Sequence, residues 1–273
     1  MPLVTTSDGV EIYYKDLGSG SPVVFSHGWP LNSDDWDVQI KAVVDAGYRA
    51  IAHDRRGHGR STQTATGNDM DHYADDLAAV LDALDVQDAV LVGHSTGGGE
   101  VAHYLARHGS GRVRKAVLRG AVPPLMLQTP DNPEGTPLAV FDDIRAHVLS
   151  DRSQYYQDLA VPFYGGNREG SAVTQGVRDQ FWRLSMQAGL VPAYDCIAQF
   201  SAVDYTADLE AIDIPVLVSH GDDDQIVPIA AAALKTAEIL KDATLKVHAG
   251  APHGLYGTYA EDFSKELLEF IAS

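Results

Sequence analysis

The chain is poor in cysteine, in positive charge and in long apolar runs, and each shortage removes a class of protein. A single cysteine, Cys196, cannot form an internal disulfide, which fits a reducing compartment. Lys and Arg number 20 against 38 Asp and Glu, a formal net charge of −18 that repels nucleic-acid phosphates and anionic lipid; neither is an expected partner. The acidic residues are scattered and form no long tail, so the charge reads first as a solubility device. No 18-residue apolar stretch exists to span a membrane. The opening residues, MPLVTTSDGVEIYYKD, lack the basic patch and apolar core of a secretory leader, and the expected location is the cytoplasm. Metal-ligand spacing is also missing. His27, His53, Asp54 and His58 supply ligand types, but no H-x-H or H-E-x-x-H pattern joins them, and no metal or other cofactor is expected.

What is present is a globular composition, 45% hydrophobic and 21% charged over 273 residues, enough for one large domain or one domain with an insertion. The first 120 residues alternate between strand and helix patterns. Residues 10–16 (VEIYYKD), 22–26 (PVVFS), 48–53 (YRAIAH), 89–93 (AVLVG) and 115–118 read as strands; 36–46, 71–84 and 100–108 read as helices. Near-continuous apolar strands between helices predict a mostly parallel sheet covered on both faces. The alternation stops after Ala121. Five prolines between residues 122 and 137 predict irregular chain, followed by helical segments without strands to about residue 200. It resumes with strands at 214–220 and 244–248 and helices at 229–240 and 259–271. The expected organisation is an α/β core from residues 1–121 and 209–273, with a helical cap inserted at 122–208.

Within VLVGHSTGGGEVAHY, the segment Gly93-His94-Ser95-Thr96-Gly97 matches the G-x-S-x-G turn that joins a strand to a helix and lifts a serine hydroxyl above the carboxyl end of a sheet. Small residues at 93 and 97 let neighbouring backbone pass close by. A serine hydroxyl needs a base. His27, His53 and His220 lie near strand ends, whereas His58 and His72 fall in or near loops. The usual order in this architecture is serine, acid, histidine, which selects His253, in a loop after the last strand. The acid comes from Asp222-Asp223-Asp224; Asp224, just before the Ile-Val-Pro step, is the choice, with Asp222 capping the turn. Two backbone donors should receive the developing oxyanion: the N–H of Thr96 and, from the loop after residues 22–26, that of Trp29, whose direction is restrained by Pro30.

Several stretches together carry a family resemblance: Phe25-Ser26-His27-Gly28-Trp29-Pro30, residues 52–61 (AHDRRGHGRS), 67–71 (GNDMD), 95–100 (STGGGE), 121–126 (AVPPLM) and 250–254 (GAPHG). The chain resembles the cofactor-free bacterial haloperoxidases, also called non-haem chloroperoxidases or perhydrolases, of the α/β-hydrolase superfamily, beside arylesterases and γ-lactamases. The resemblance implies a Ser95–Asp224–His253 triad with Trp29 and Thr96 as oxyanion donors. It implies an acyl-enzyme from a small ester or carboxylic acid, attacked by water or by hydrogen peroxide; the resulting peracid oxidises halide in solution. It also implies a homo-oligomer, a trimer or larger. The Trp29-Pro30 pairing accompanies efficient perhydrolysis in such proteins. His94 stands where relatives often carry Phe and is expected to serve packing. Trp29, Pro30, Val227, Leu255, Phe141, Phe163 and Trp182 are the candidate pocket residues, with Tyr164, Phe181 and Met186 also available. A metallo-hydrolase and a non-catalytic ligand-sensing module are the competing readings; the complete set of triad candidates favours catalysis.

Overall fold

A computed structural model describes all of residues 1–273. Eight strands form one sheet: β1 (Leu3–Thr5), β2 (Glu11–Gly18), β3 (Pro22–Ser26), β4 (Arg49–His53), β5 (Ala89–His94), β6 (Val113–Arg119), β7 (Val216–Gly221) and β8 (Ala243–His248). Their spatial order is β1-β2-β4-β3-β5-β6-β7-β8. β2 runs antiparallel to β1 and β4, and every other pairing is parallel. The helices are α1 (Asp37–Asp45), α2 (Met70–Ala83), α3 (Thr96–His108), α4 (Leu138–Phe163), α5 (Gln175–Ser185), α6 (Leu190–Ala202), α7 (Thr206–Ala211), α8 (Ala233–Ile239) and α9 (Gly257–Ala272).

The central strands read as unbroken apolar runs because both of their faces are covered. Successive side chains alternate between faces. Val24, Ile51 and Leu91 therefore enter one core with Leu77, Val80, Val101 and Leu105 of α2 and α3. Val23, Phe25, Val90, Val92 and Val117 enter the other, with Ile40 and Val43 of α1 and Phe263 and Leu267 of α9. A third cluster lies under the helices inserted between β6 and β7 and includes Trp29, Tyr73, Met126, Phe141, Phe163 and Phe200.

The structure departs from the sequence reading at several edges. The short strand β1 was not expected; three residues are too few to show a period. α3 begins at Thr96, directly after the serine, rather than at residue 100. The helix expected from residue 229 starts at Ala233, because the chain after Pro228 first makes a tight turn in which the Ala231 and Ala232 N–H groups donate to the Pro228 carbonyl. α4 is broken at Asp151 (φ −156°, ψ 76°), whose carboxylate accepts the Gln154 N–H at 3.0 Å and restarts the helix. The expected limit between 208 and 209 falls inside α7, which packs on α3.

A buried ion-pair knot ties β3, β4 and α3 together. Glu100 is fully buried; its Oε1 accepts from Ser26 Oγ (2.9 Å) and meets His53 Nε2 (2.8 Å), and its Oε2 accepts from Arg55 Nε (2.7 Å). Arg55 Nη2 in turn donates to the His27 carbonyl at 2.7 Å. Burial alone would raise the Glu100 carboxyl, but Arg55 and His53 outweigh it and hold it at about 2. Removing the carboxylate leaves a buried guanidinium without its counter-charge. Glu100→Ala is predicted to cost about 3–5 kcal/mol in denaturant unfolding; a loss within 1 kcal/mol would show that the knot is dispensable.

Candidate active site

The serine sits where β5 meets α3, and its pose is fixed by contact between backbones. Ser95 has φ 55° and ψ −121°, a conformation that costs a non-glycine residue energy and persists only when its surroundings enforce it. The surroundings here are unusually close. A Cβ on Gly97 would lie 2.1 Å from the Ser26 carbonyl oxygen, and one on Gly93 would lie 2.3 Å from the Gly97 carbonyl oxygen. The Ser95 N–H donates to the Arg119 carbonyl (3.1 Å), and its own carbonyl accepts from Gly98 (2.9 Å) and Val122 (3.3 Å). The serine is thereby suspended among β3, β6 and α3 with its side chain on the wall of a cavity.

A carboxylate and an imidazole meet at the same cavity. His253 Nδ1 lies 2.7 Å from Asp224 Oδ2. The Asp224 carboxylate is fully buried, and its Oδ1 accepts the N–H groups of Ile226 (2.9 Å) and Val227 (2.8 Å). Burial pushes its carboxyl up, but His253 and His220 outweigh that and hold it well below the usual carboxylate range. The neighbouring aspartates are engaged elsewhere: Asp222 accepts the Gly250 N–H at 2.6 Å, and Asp223 pairs with Arg168. The His253 ring is held between Phe163, edge-on at 4.8 Å, and His94 at 4.7 Å. Its Nε2 makes no hydrogen bond within the protein, and His253 lines the same cavity as Ser95. With Nδ1 turned to a carboxylate, Nε2 is the atom left to take a proton.

Trp29 and Thr96 also line this cavity, and neither backbone N–H donates to a protein acceptor. Thr96 opens α3, where free N–H groups favour negative charge. The Trp29 side chain is anchored separately from its backbone N–H: its indole N–H donates to the Ala193 carbonyl at 2.8 Å, and its ring packs on Tyr156 and Phe200. The loop carrying it is fixed from behind, because His27 Nε2 accepts the Arg55 N–H and its Nδ1 donates to the Gly28 carbonyl, each at 2.9 Å.

The cavity holds about 210 Å³. Of the expected pocket residues, Trp29, Val227, Phe141 and Phe163 line it; Pro30, Leu255 and Trp182 do not. Pro30 is buried outside the wall. Leu255 faces a separate crevice with Asp34 and Asp35. The Trp182 indole donates to Ser153 of α4 at 3.1 Å. Phe181 packs on Phe163 from outside the cavity. Several of the residues that sequence reasoning missed lie on α4. Val140 and Ile144, then Tyr155 and Leu159 leading to Phe163, line the wall at helical spacing. In the sequence these positions read only as an apolar helix face, with nothing local to say what that face covers.

His94 does more than pack. Its Nε2–H donates to the His253 carbonyl at 3.1 Å, and its Nδ1 lies 3.9 Å from Asp35. His27, His53, Asp54 and His58 do not converge as ligands. His53 meets Glu100, Asp54 accepts from Ser33 and Arg60, and His58 Nδ1 donates to the Arg56 carbonyl. No group of three or more potential ligands comes together anywhere in the structure. No helix is long and apolar enough to cross a membrane.

A parallel sheet with a strained serine at the end of its fifth strand, and an acid–histidine pair on loops at the same edge, define an α/β hydrolase. A family model described as the alpha/beta hydrolase fold matches residues 21–258. The chain is 58% identical over 274 residues to a non-heme haloperoxidase of Rhodococcus erythropolis, covering 100% of both. It is 53% identical over 276 residues to a bifunctional esterase/perhydrolase of Acinetobacter calcoaceticus, again covering 100% of both. The crystal structure of a bromoperoxidase from Bacillus anthracis superposes with a TM-score of 0.96 at 37% identity, over 100% of this chain and 99% of that one. The chain belongs to the α/β-hydrolase family, in its non-heme haloperoxidase branch.

Three buried imidazoles frame the site: His27, His58 and His94. Burial is the main cause that lowers all three, helped at His27 and His58 by Arg55 and at His94 by His253 and Arg119; His58 falls to about 4. Their unfolded value is about 6.5. Below that pH the unfolded chain binds protons that the folded chain refuses, so stability is complete above about pH 6.5 and falls as pH drops towards 4. His103, raised by Asp208 and Asp71, acts in the opposite sense and offsets part of the loss. The His58→Asn variant is predicted to lose less stability than the parent between pH 7 and 4.5, by about 3 kcal/mol at most. Parallel curves for the two proteins would contradict this.

Proposed function

We propose that the protein is a serine hydrolase of small esters whose acyl-enzyme is also intercepted by hydrogen peroxide. Ser95 Oγ attacks the ester carbonyl while His253 Nε2 takes its proton. Asp224 holds the imidazole in the required tautomer and stabilises the imidazolium. The N–H groups of Thr96 and Trp29 receive the oxyanion, each donor worth about 3–4 kcal/mol in the transition state. His253 returns the proton to the departing alcohol. Water attacking the acyl-enzyme gives the acid; hydrogen peroxide, deprotonated by the same imidazole, gives a peracid that leaves and oxidises halide in solution. A carboxylic acid can serve in place of the ester, with water as the first leaving group.

The observation that carries this reading is the Asp224–His253 pair, 2.7 Å apart, with the unbonded Nε2 buried on a cavity that Ser95 shares. The names of the similar proteins support the perhydrolase branch. The cavity wall is mainly apolar and carries no lysine or arginine, which suits an uncharged acyl group better than a carboxylate. In this reading residues 122–208 act as the cap, and the enzyme works in the cytoplasm as a trimer or larger assembly. It takes no cofactor and engages neither nucleic acid nor membrane, the last supported by the charge of −18.

The test is p-nitrophenyl acetate hydrolysis, together with monochlorodimedone chlorination in acetate, peroxide and chloride. Ser95→Ala is predicted to lose both activities by on the order of 10⁴-fold or more, and Asp224→Asn by about 10⁴-fold in kcat. Chlorination persisting at the parent rate in Ser95→Ala would refute the acyl-enzyme route. Ester hydrolysis without any chlorination would reduce the assignment to a plain esterase or lactamase.

A further inference from the structure

The cavity wall contains one sulfur atom. Among the residues that line it, Met126 alone carries a thioether, beside Ser95, Trp29, Phe141 and Phe200. Met126 is also held in place. Thr136 donates its N–H to the Met126 carbonyl at 2.7 Å, and the Asn132 amide clamps the carbonyls on either side, Leu125 at 2.8 Å and Leu127 at 2.9 Å. Those bonds fix the backbone that carries the thioether at the cavity. From bulk solvent Met126 is shielded, being 4% exposed; Met70 is equally shielded at 3% but does not line the cavity, and Met186 is partly exposed.

Resting on the perhydrolase reading above, we propose that Met126 is a self-oxidation site, converted to its sulfoxide by the peracid formed at Ser95 before that product escapes. The step is a two-electron oxygen transfer. The thioether sulfur attacks the terminal peroxy oxygen, the O–O bond breaks, an S=O bond forms, and the peroxy proton passes to the departing carboxylate. Sulfur is oxidised, the peracid is reduced to the carboxylic acid, and no other reactant is needed. The consequence follows from the surroundings: a polar sulfoxide oxygen enters a mainly apolar wall, which weakens acyl binding and slows the enzyme as peracid accumulates. Methionine sulfoxide is reducible enzymatically, so the block is reversible.

Peptide mass spectrometry of the intact enzyme after turnover tests the proposal, with peracid release measured in parallel. Burial alone ranks the internal methionines Met186 first, with Met126 and Met70 together behind. During turnover with p-nitrophenyl acetate and peroxide, Met126 is predicted to overtake Met186 and to exceed Met70 at least several-fold. Activity should fall with its sulfoxide content and return on treatment with methionine sulfoxide reductases. Peroxide alone, or Ser95→Ala with both reagents, should restore the burial order. The Met126→Leu variant, compared with its own initial rate, should keep its activity several-fold longer during perhydrolysis. If peracid is released but Met126 is oxidised no faster than Met70, the proposal is overturned and the perhydrolase reading stands. If no peracid forms, both fall.

Discussion

The structure depends on how closely the first turn of α3 approaches the ends of β3 and β5. At Gly97 there is no room for a single carbon between the helix and the Ser26 carbonyl, and at Gly93 none between the strand and Gly97 itself. That contact leaves Ser95 no relaxed backbone conformation, so it is held at φ 55° with its side chain on the cavity. The energy stored there must be supplied by the surrounding fold. Part of it comes from the Glu100 knot, little more than one turn along the same helix, which binds α3 to Ser26, His53 and Arg55. Arg55 also fixes the His27 carbonyl and, through its own N–H, the His27 ring. One buried network thus secures both the helix that presents the serine and the loop that presents the Trp29 N–H.

Charge and polarity suit the chemistry read from the site. A halide approaching this protein meets a surface of net charge −18 and then a mainly apolar cavity without a lysine or arginine on its wall. An uncharged peracid leaving the cavity meets no such barrier. Oxidation of halide outside the enzyme is therefore the arrangement that the electrostatics favour. In the proposed reading, the same apolar wall that receives the acyl group presents its one thioether to the product.

Much of this was legible in the sequence because it is written in local patterns. The apolar runs at 22–26 and 89–93 announced parallel strands, and Gly93–Gly97 announced the turn. The residues hardest to find were those whose role depends on distant partners. His94 read as packing beside the serine; nothing local tells that its imidazole reaches the carbonyl of His253, 159 residues on. Trp182 and Leu255 carry the composition expected of a pocket wall, but a hydrogen bond to Ser153 and a separate crevice draw them elsewhere. Leu159 and Ile144 lie on an apolar face of α4 whose partner, the cavity beside Ser95, is set by elements distant in sequence. Pattern reports that a face is apolar; only the tertiary arrangement decides what that face covers.

The central claim is that Ser95 is held by the turn and activated by the Asp224–His253 pair. It is tested most directly by labelling with a fluorophosphonate, which reacts with activated serines and leaves ordinary ones untouched, followed by peptide mass spectrometry. The account predicts a single adduct on Ser95 that forms readily in the parent protein and is abolished in His253→Ala. An adduct on another serine, or equal labelling of Ser95 without the imidazole, would contradict it.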